Sequence, residues 1–378
     1  MIIGIDIRNI GKKRTGDEVV FFNLVKNLAL IDNENEYSLF TDISDGNILA
    51  EIKKSLGIEN RNNFKIISLK SQNKFIWNIW TLPRYLRKNP ADIYQTQYIT
   101  PWFVPKHTKI ITVIHDISFN FYSQFIKFFD LLFLKILIPL SLRRADKIVA
   151  VSKFTADEVI KYYKVEPDKV AWVHNAFSED FLKEITQSEK EIIRKRYALP
   201  EKFILYLGTL QPRKNIPHLI EAFARIKGSL PDIKLVLCGN RQAHNFDREI
   251  DKIIKKEKLE KDVYFPGYVS DEDKKIVFGL AHIFVFPSFY EGFGIPILEA
   301  MVAKIPILAS RIPSHEEIAG ESILFFEIND KNDLENKLKK ICLDNNLRED
   351  FIKKENEQIN KFSWHKSATE FYRLYSEI

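Results

Sequence analysis

The chain alternates short apolar runs with stretches of helical periodicity. In the first half, apolar runs at residues 2–7, 37–40, 64–69, 93–94, 110–114 and 147–151 predict strands, with 170–173 a further candidate. These runs are almost continuously hydrophobic, as strands covered on both faces should be. A charged helical stretch at 184–197 follows, and then the pattern restarts. Strands are predicted at 203–208, 233–238, 263–265, 283–286 and 305–309, with helices at 217–227, 271–281 and 296–303. Ser270 with Asp273 resembles a capping box in which Asp stands for the usual Glu. The tail from 331 onward is highly charged and mostly helical. Such alternation predicts parallel sheets with crossover helices. The chain therefore reads as α/β, with two Rossmann-like doubly wound domains at 1–190 and 191–360. A C-terminal helix at 361–378 is expected to cross back to the first domain. Ligands in such sheets bind outside the carboxyl ends of the strands, so the expected site is a cleft between two facing domains.

Length agrees with this division, since 378 residues suggest two domains at roughly 150 residues each. The chain is 45% hydrophobic and carries 29 Phe and 14 Tyr, which argues against disorder. A net charge of +6 is mildly basic. It excludes a dedicated nucleic-acid binder but suits a phosphate-bearing partner or an anionic membrane surface. Only Cys238 and Cys342 are present, with no disulfide framework or zinc spacing, so a reducing cytoplasm is the expected setting. The first apolar run lacks a basic flank and is too short for a signal peptide. Residues 125–142 come nearest to a membrane span, but Lys127, Asp130, Lys135 and Pro139 interrupt them. Their apolar stripe, followed by Arg143 and Arg144, fits peripheral contact with a membrane; a buried helix of a large domain accounts for it equally well.

The strongest chemical signal is the pair Glu291 and Glu299 in Glu-Gly-Phe-Gly-Ile-Pro-Ile-Leu-Glu. Gly292 and Gly294 let a ligand approach the backbone, and Pro296 suits a helix start. Bare amides there would hold an anion or sugar hydroxyls, with two carboxylates beside them. A glycine-rich turn with two capping acids is the plainer reading. Arg213 and Lys214 follow the predicted strand at 203–208, where two adjacent cations can neutralise a diphosphate; a solvated basic turn is the alternative. His115 ends the strand at 110–114, on the side of the expected cleft, although a lone His at a strand end is usually structural. Gly11-Lys-Lys-Arg-Thr-Gly16-Asp17 follows the first strand, where phosphate loops occur, yet it fits no dinucleotide or P-loop pattern. A flexible basic loop reads equally well.

Several segments together resemble glycosyltransferase family 4, retaining enzymes of the GT-B fold. They are Thr112-Val-Ile-His-Asp116, Asp146-Lys-Ile-Val-Ala-Val-Ser152, Leu207-Gly-Thr-Leu-Gln-Pro-Arg-Lys-Asn215, Phe286-Pro-Ser-Phe-Tyr-Glu-Gly-Phe-Gly-Ile-Pro-Ile-Leu-Glu299 and Phe362-Ser-Trp364. They appear in the family's order over nearly the whole chain. The resemblance implies an acceptor-binding first domain and a nucleotide-sugar-binding second one. It implies that Arg213 and Lys214 bind the donor diphosphate. Glu291 and the amides of Phe293, Gly294 and Ile295 would hold the donor sugar, and Glu299 the ribose. Tyr268 and Val269 would flank the base, His115 would contact the sugar near the reaction centre, and Gly16 would admit the phosphates. Thr209 and Leu298 complete the implied donor contacts.

Thr209 also marks a departure, because many relatives carry Arg there. The first loop departs too, with Thr15-Gly16-Asp17-Glu18-Val19 in place of the frequent Gly-x-Gly-x-Tyr. No metal or other cofactor is implied, since the two cations do what magnesium does elsewhere. The implied reaction is retaining hexosyl transfer to a glycan or polyprenyl-linked acceptor in cell-surface polysaccharide synthesis, at the inner face of the cytoplasmic membrane. The style of the 207–215 segment resembles O-antigen and exopolysaccharide mannosyltransferases, which favours GDP-mannose over UDP- or dTDP-sugars. The acceptor is expected near residues 74–80 and 119–144. Rival readings are a sugar-nucleotide epimerase, a glycan phosphorylase and a non-catalytic sugar-nucleotide-binding protein.

Overall fold

The computed structural model describes residues 1–12, 16–243 and 245–378. Residues 13–15 of the first loop therefore lie outside the described residues. Two compact units emerge, one of Met1–Ala176 with Phe362–Ile378 and one of Phe177–Lys361.

The first unit is a seven-stranded parallel sheet. Its strands are β1 Ile2–Asp6, β2 Glu36–Thr41, β3 Phe64–Ser68, β4 Ile93–Gln97, β5 Lys109–Ile114, β6 Lys147–Ala150 and β7 Val170–Trp172. Their order is β3-β2-β1-β4-β5-β6-β7. Chain direction across the sheet reverses between β1 and β4, and this is the switch point where ligands of doubly wound sheets bind. β1 lies under large neighbours: a Cβ at Gly4 would come within 2.9 Å of the Phe40 ring and 3.1 Å of Tyr94. Only glycine lets those rings close over the central strand. On this face Phe40, Trp77, Tyr94, Ile110 and Leu142 belong to one core cluster.

The last helix, Trp364–Ser376, completes the first unit by packing on the helix Gly16–Ile31. Ser363 caps it, Tyr375 donates to buried Gln95 at 2.6 Å, and Ser367 donates to the His174 carbonyl at 2.6 Å. The helix Phe128–Arg144 behaves differently. It buries only Ile138, Ser141 and Leu142, while Phe128 and Phe129 are 71% and 82% exposed. The buried-helix alternative thus accounts for its C-terminal turns alone. Among the described residues no helix is long and apolar enough to cross a membrane.

The second unit is a six-stranded parallel sheet of order β10-β9-β8-β11-β12-β13. Its strands are β8 Phe203–Leu207, β9 Lys234–Cys238, β10 Val263–Gly267, β11 Ile283–Phe286, β12 Ile307–Ser310 and β13 Leu324–Phe326. β13 is an edge strand within the apolar run Ile323-Leu-Phe-Phe326. Residues 177–190, read with the first domain from sequence, lie in the second unit. There the helix Gln187–Arg196 packs on the helix Asp271–Leu280. Asp273 draws the two together by accepting from Arg196 at 2.7 Å and from the Tyr197 hydroxyl at 2.8 Å. The expected capping box is therefore half made. Ser270 caps Asp273, but the Asp273 carboxylate turns to the neighbouring helix instead of reaching back. Cys238 and Cys342 are buried free thiols, and burial pushes both up to about 12.

Candidate functional site

In the second sheet the switch point lies between β8 and β11, which pair directly. The loops leaving the carboxyl ends of these two strands carry Arg213, Lys214 and Glu291. After β8 the chain runs through Gly208, whose φ of +157 places an ideal Cβ 2.9 Å from the Tyr206 hydroxyl. That hydroxyl donates to the Thr209 carbonyl at 2.7 Å and anchors the loop. Pro212–Lys214 then form a single 3₁₀ turn, closed by Asn215 in the left-handed region at φ +55. The Phe289 amide donates to the Arg213 carbonyl at 3.0 Å, stitching the second loop to the first.

This stitch brings three charges together. Lys214 lies 2.5 Å and Arg213 3.2 Å from the Glu291 carboxylate, and Arg213 also donates to the Tyr290 carbonyl. Glu291 and Lys214 are 8% and 9% exposed. Burial alone would raise the Glu291 carboxyl, but Lys214 and Arg213 outweigh it and hold the group at about 2. The carboxylate is therefore ionised throughout the physiological range and can only accept hydrogen bonds. Two cations against one carboxylate leave a net positive cluster, suited to a diphosphate.

Immediately beyond, Gly294 stands at φ +125 and caps the helix Ile295–Val302. Only glycine takes that conformation without strain; in the turn that follows, Pro296 has no N–H and the Ile297 amide donates to the Gly294 carbonyl at 3.0 Å. The helix starts one residue earlier than the proline alone suggests, with Pro296 second, so Glu299 falls just past the first turn. Glu299 is buried and meets Lys274 at 3.1 Å, and Lys274 in turn meets Asp271 at 3.1 Å. Burial lowers the Lys274 ammonium, but the two carboxylates outweigh it and the value rises. Tyr268 is exposed, while Val269 and Phe293 are buried. Leu298 is fully buried, which leaves its backbone as the means of any ligand contact.

Sequence reasoning passes over two residues here. Lys274 sits in an ordinary charged helix turn and reads as solvated until Glu299 is seen beside it. His315 lies wholly buried beneath the Gly294 turn, where an ideal Gly294 Cβ would come 3.5 Å from its Cδ2. Its Nδ1 lies 3.0 Å from the Ser310 carbonyl and so carries the proton, while Nε2 has no hydrogen-bond partner among the described residues. Burial drives its pKa down to about 4, against the opposing pull of Glu291. It is neutral at pH 7.

In the first unit His115 leaves the end of β5 and is 9% exposed. Its Nε2 lies 3.0 Å from Gln97 Oε1, at the end of β4, and its Nδ1 lies 3.9 Å from Asp17. The first loop's Gly11 amide donates to Glu18 at 2.9 Å, and Gly16 opens the helix Gly16–Ile31 with nothing among the described residues within 4 Å of its Cβ position. A hollow of about 590 Å³ lies at this sheet's switch point, lined by Asp6 at the end of β1 and Arg8 beyond it, Gln97 at the end of β4 and Tyr98 beyond it, and Asp116 after β5, together with apolar Ile99, Phe119 and Phe133. Tyr98 is held at φ +56, an uncommon state for a non-glycine residue that often marks a working site.

Comparison with known proteins decides the family. Residues 15–181 match Glycosyltransferase Family 4, and residues 189–358 match Glycosyl transferases group 1. Together the two matches mark the chain as a glycosyltransferase. It is 26% identical over 357 residues to an O-antigen chain mannosyltransferase B of Escherichia coli, covering 93% of each chain. The serotype-specific mannosyltransferase WbdA of Escherichia coli is 32% identical over 227 residues, 60% of this chain and 28% of that longer one. A glycosyltransferase structure from Rickettsia africae superposes with a TM-score of 0.75 at 20% identity, covering 100% of this chain and 98% of that one. This glycosyltransferase therefore has the GT-B fold, and its two parallel-sheet units are the two α/β domains of that fold.

Proposed function

We propose that this glycosyltransferase moves a hexose, with mannose favoured, from a nucleotide-diphosphate sugar to a glycan or polyprenyl-linked acceptor in cell-surface polysaccharide synthesis. The observation that carries the donor side is the Glu291 carboxylate, held ionised by Arg213 and Lys214 beside the helix start at Gly294. Sugar hydroxyls donate to Glu291, and the diphosphate lies against the two cations. Glu299, pinned by Lys274 on one oxygen, offers the other to a ribose. The preference for GDP-mannose rests on the names of the relatives, two of which are mannosyltransferases.

Transfer proceeds with retention, on one face of the sugar. The bond from the anomeric carbon to the diphosphate oxygen breaks as the bond to the acceptor oxygen forms. The acceptor proton passes to the departing diphosphate oxygen, so no protein base is required. Arg213 and Lys214 stabilise the charge that develops on the leaving group, which is the role a metal fills elsewhere. His115, steadied by Gln97, is assigned to the sugar near the reaction centre.

The test is a donor panel of GDP-, UDP- and dTDP-sugars against the purified protein, with the product anomer read by NMR. Retained configuration with GDP-mannose supports the reading; an inverted product, or turnover confined to UDP- or dTDP-sugars, refutes the corresponding part. Glu291→Ala and Lys214→Ala should each lower transfer about tenfold or more with the fold intact by circular dichroism. Wild-type rates in both variants would remove the site assignment.

A further inference from the structure

The hollow at the first sheet's switch point is acidic, with five aspartates lining it against three basic side chains. Two of those cations are already paired, Arg8 with Asp6 at 2.6 Å and Lys12 with Asp42 at 2.7 Å. Such a lining repels phosphate and favours groups that donate hydrogen bonds, as sugar hydroxyls do. At one corner stand Gln97, His115 and Asp17. Gln97 ends β4, and a tight turn fixes it: the Ile99 amide donates to the Gln97 carbonyl at 2.6 Å around Tyr98 at φ +56. The rings of Tyr98 and Phe21 pack on His115 at centroid distances of 5.5 and 6.3 Å. The His115 Nε2 faces the Gln97 side-chain oxygen at 3.0 Å. An amide oxygen only accepts, so the ring proton sits on Nε2, and a neutral ring leaves Nδ1 as a bare acceptor. Nδ1 is 3.9 Å from Asp17 Oδ1, beyond hydrogen-bond reach, and Asp17 is partly exposed and lines the hollow. Two acceptors thus stand side by side at the wall.

We infer that Asp17 and the Nδ1 of His115 take two neighbouring hydroxyls of the transferred hexose, and that Gln97 is the positioning residue that fixes the ring for this. The inference rests on the proposed transfer reading and adds to it Asp17, a first-loop residue outside the donor contacts that the resemblance implies. Neighbouring hydroxyls on a pyranose present two O–H donors side by side, which matches two acceptors. A diphosphate presents acceptors only, and the Asp17 carboxylate repels it.

Histidine-selective NMR of the full chain, with His115 assigned by its loss in His115→Asn, should show the Nε2–H form at neutral pH. Gln97→Leu should mix the two neutral forms. A proton on Nδ1, alone or on a doubly protonated ring paired with Asp17, would overturn the inference, since Nδ1 could then accept nothing. Kinetics with the donor that the panel selects, and with its monodeoxy hexose analogues, give the second measurement. Asp17→Ala should raise KM for the parent donor about tenfold or more with the fold intact, the scale of a lost hydrogen bond to a charged group. Asp17→Asn keeps an accepting oxygen and should recover part of the loss. On one monodeoxy donor, wild type and Asp17→Ala should be equal; on the analogue lacking the neighbouring hydroxyl, wild type and Gln97→Leu should be equal. An Asp17→Ala penalty that is the same on every monodeoxy donor would overturn the inference, as would a penalty confined to the KM of the acceptor. The ring measurement uses no donor, so it stands or falls apart from the proposed function.

Discussion

Glu291 has two cations within 3.2 Å in a site almost closed to water, and removing either partner has consequences of different kinds. Breaking a buried pair from one side typically costs about 3–5 kcal/mol, because the other charge stays behind unpaired. Lys214→Ala still leaves Arg213 on the carboxylate, so its stability loss should fall below that range. Glu291→Gln keeps the shape but releases both cations toward a diphosphate. It should therefore hold the affinity for the selected nucleoside diphosphate while lowering transfer about tenfold or more. Loss of nucleotide binding in Glu291→Gln, measured by titration calorimetry, would argue that the carboxylate organises the phosphate side and does not grip the sugar. His315 offers a pH-dependent test. Its folded value of about 4 lies below the ordinary histidine value near 6.5. Between the two, the unfolded chain binds a proton that the folded chain refuses. Stability contributed by neutral His315 is thus complete above about pH 6.5 and is lost as pH falls toward 4, by up to about 3 kcal/mol. His315→Gln cannot titrate and should flatten the fall of Tm across that window. An unchanged pH profile of Tm in the variant would show that the ring is not the group being protonated.

At the scale of elements, the loop from β11 into the helix Ile295–Val302 depends on one backbone angle. Gly294 at φ +125 has room for a methyl group, with nothing closer than 3.5 Å to its Cβ position, so space is not the constraint there. Gly294→Ala should cost on the order of 1–3 kcal/mol through backbone strain alone. Relief of that strain would shift the start of the helix beside Glu291, and donor affinity should fall further than stability. A variant with normal donor affinity and Tm would show that the turn tolerates a side chain. Much of this region was legible in the sequence, because it is local. The strands β8 and β11 are continuous apolar runs, and Gly294 with Pro296 announces a helix start. What escaped was contact over distance. Asp273 reads as the third residue of a cap, and nothing local reveals that Arg196, 77 positions earlier, will take its carboxylate. Lys274 and Glu299 are 25 positions apart and lie on different helices. The apolar stretch 125–142 left burial and exposure equally open, since periodicity reports that a face is apolar and not what covers it.

For the whole molecule, the consequential feature is that the chain leaves the first unit at Ala176 and returns to it at Phe362. The second unit is thus a continuous segment, Phe177–Lys361, whereas the first needs both ends of the chain. The returning helix buries Trp364, Ala368, Phe371 and Tyr375, and its Tyr375 hydroxyl bonds a fully buried Gln95. Each large apolar side chain is worth roughly 1.5–3 kcal/mol on burial, so the helix contributes an amount comparable to the 5–15 kcal/mol stability of an ordinary domain. Removing 362–378 should therefore unfold the first unit, or bring its melting close to ambient temperature, while the second sheet and its Arg213–Lys214–Glu291 cluster persist. Calorimetry of the truncated chain should show one transition lost or sharply lowered and one retained, with nucleoside diphosphate still raising the retained one. If both transitions kept their temperatures, the returning helix would be an accessory to the first unit. If both vanished together, the second unit would depend on the first for its own fold, and nucleotide binding would have to be lost with them.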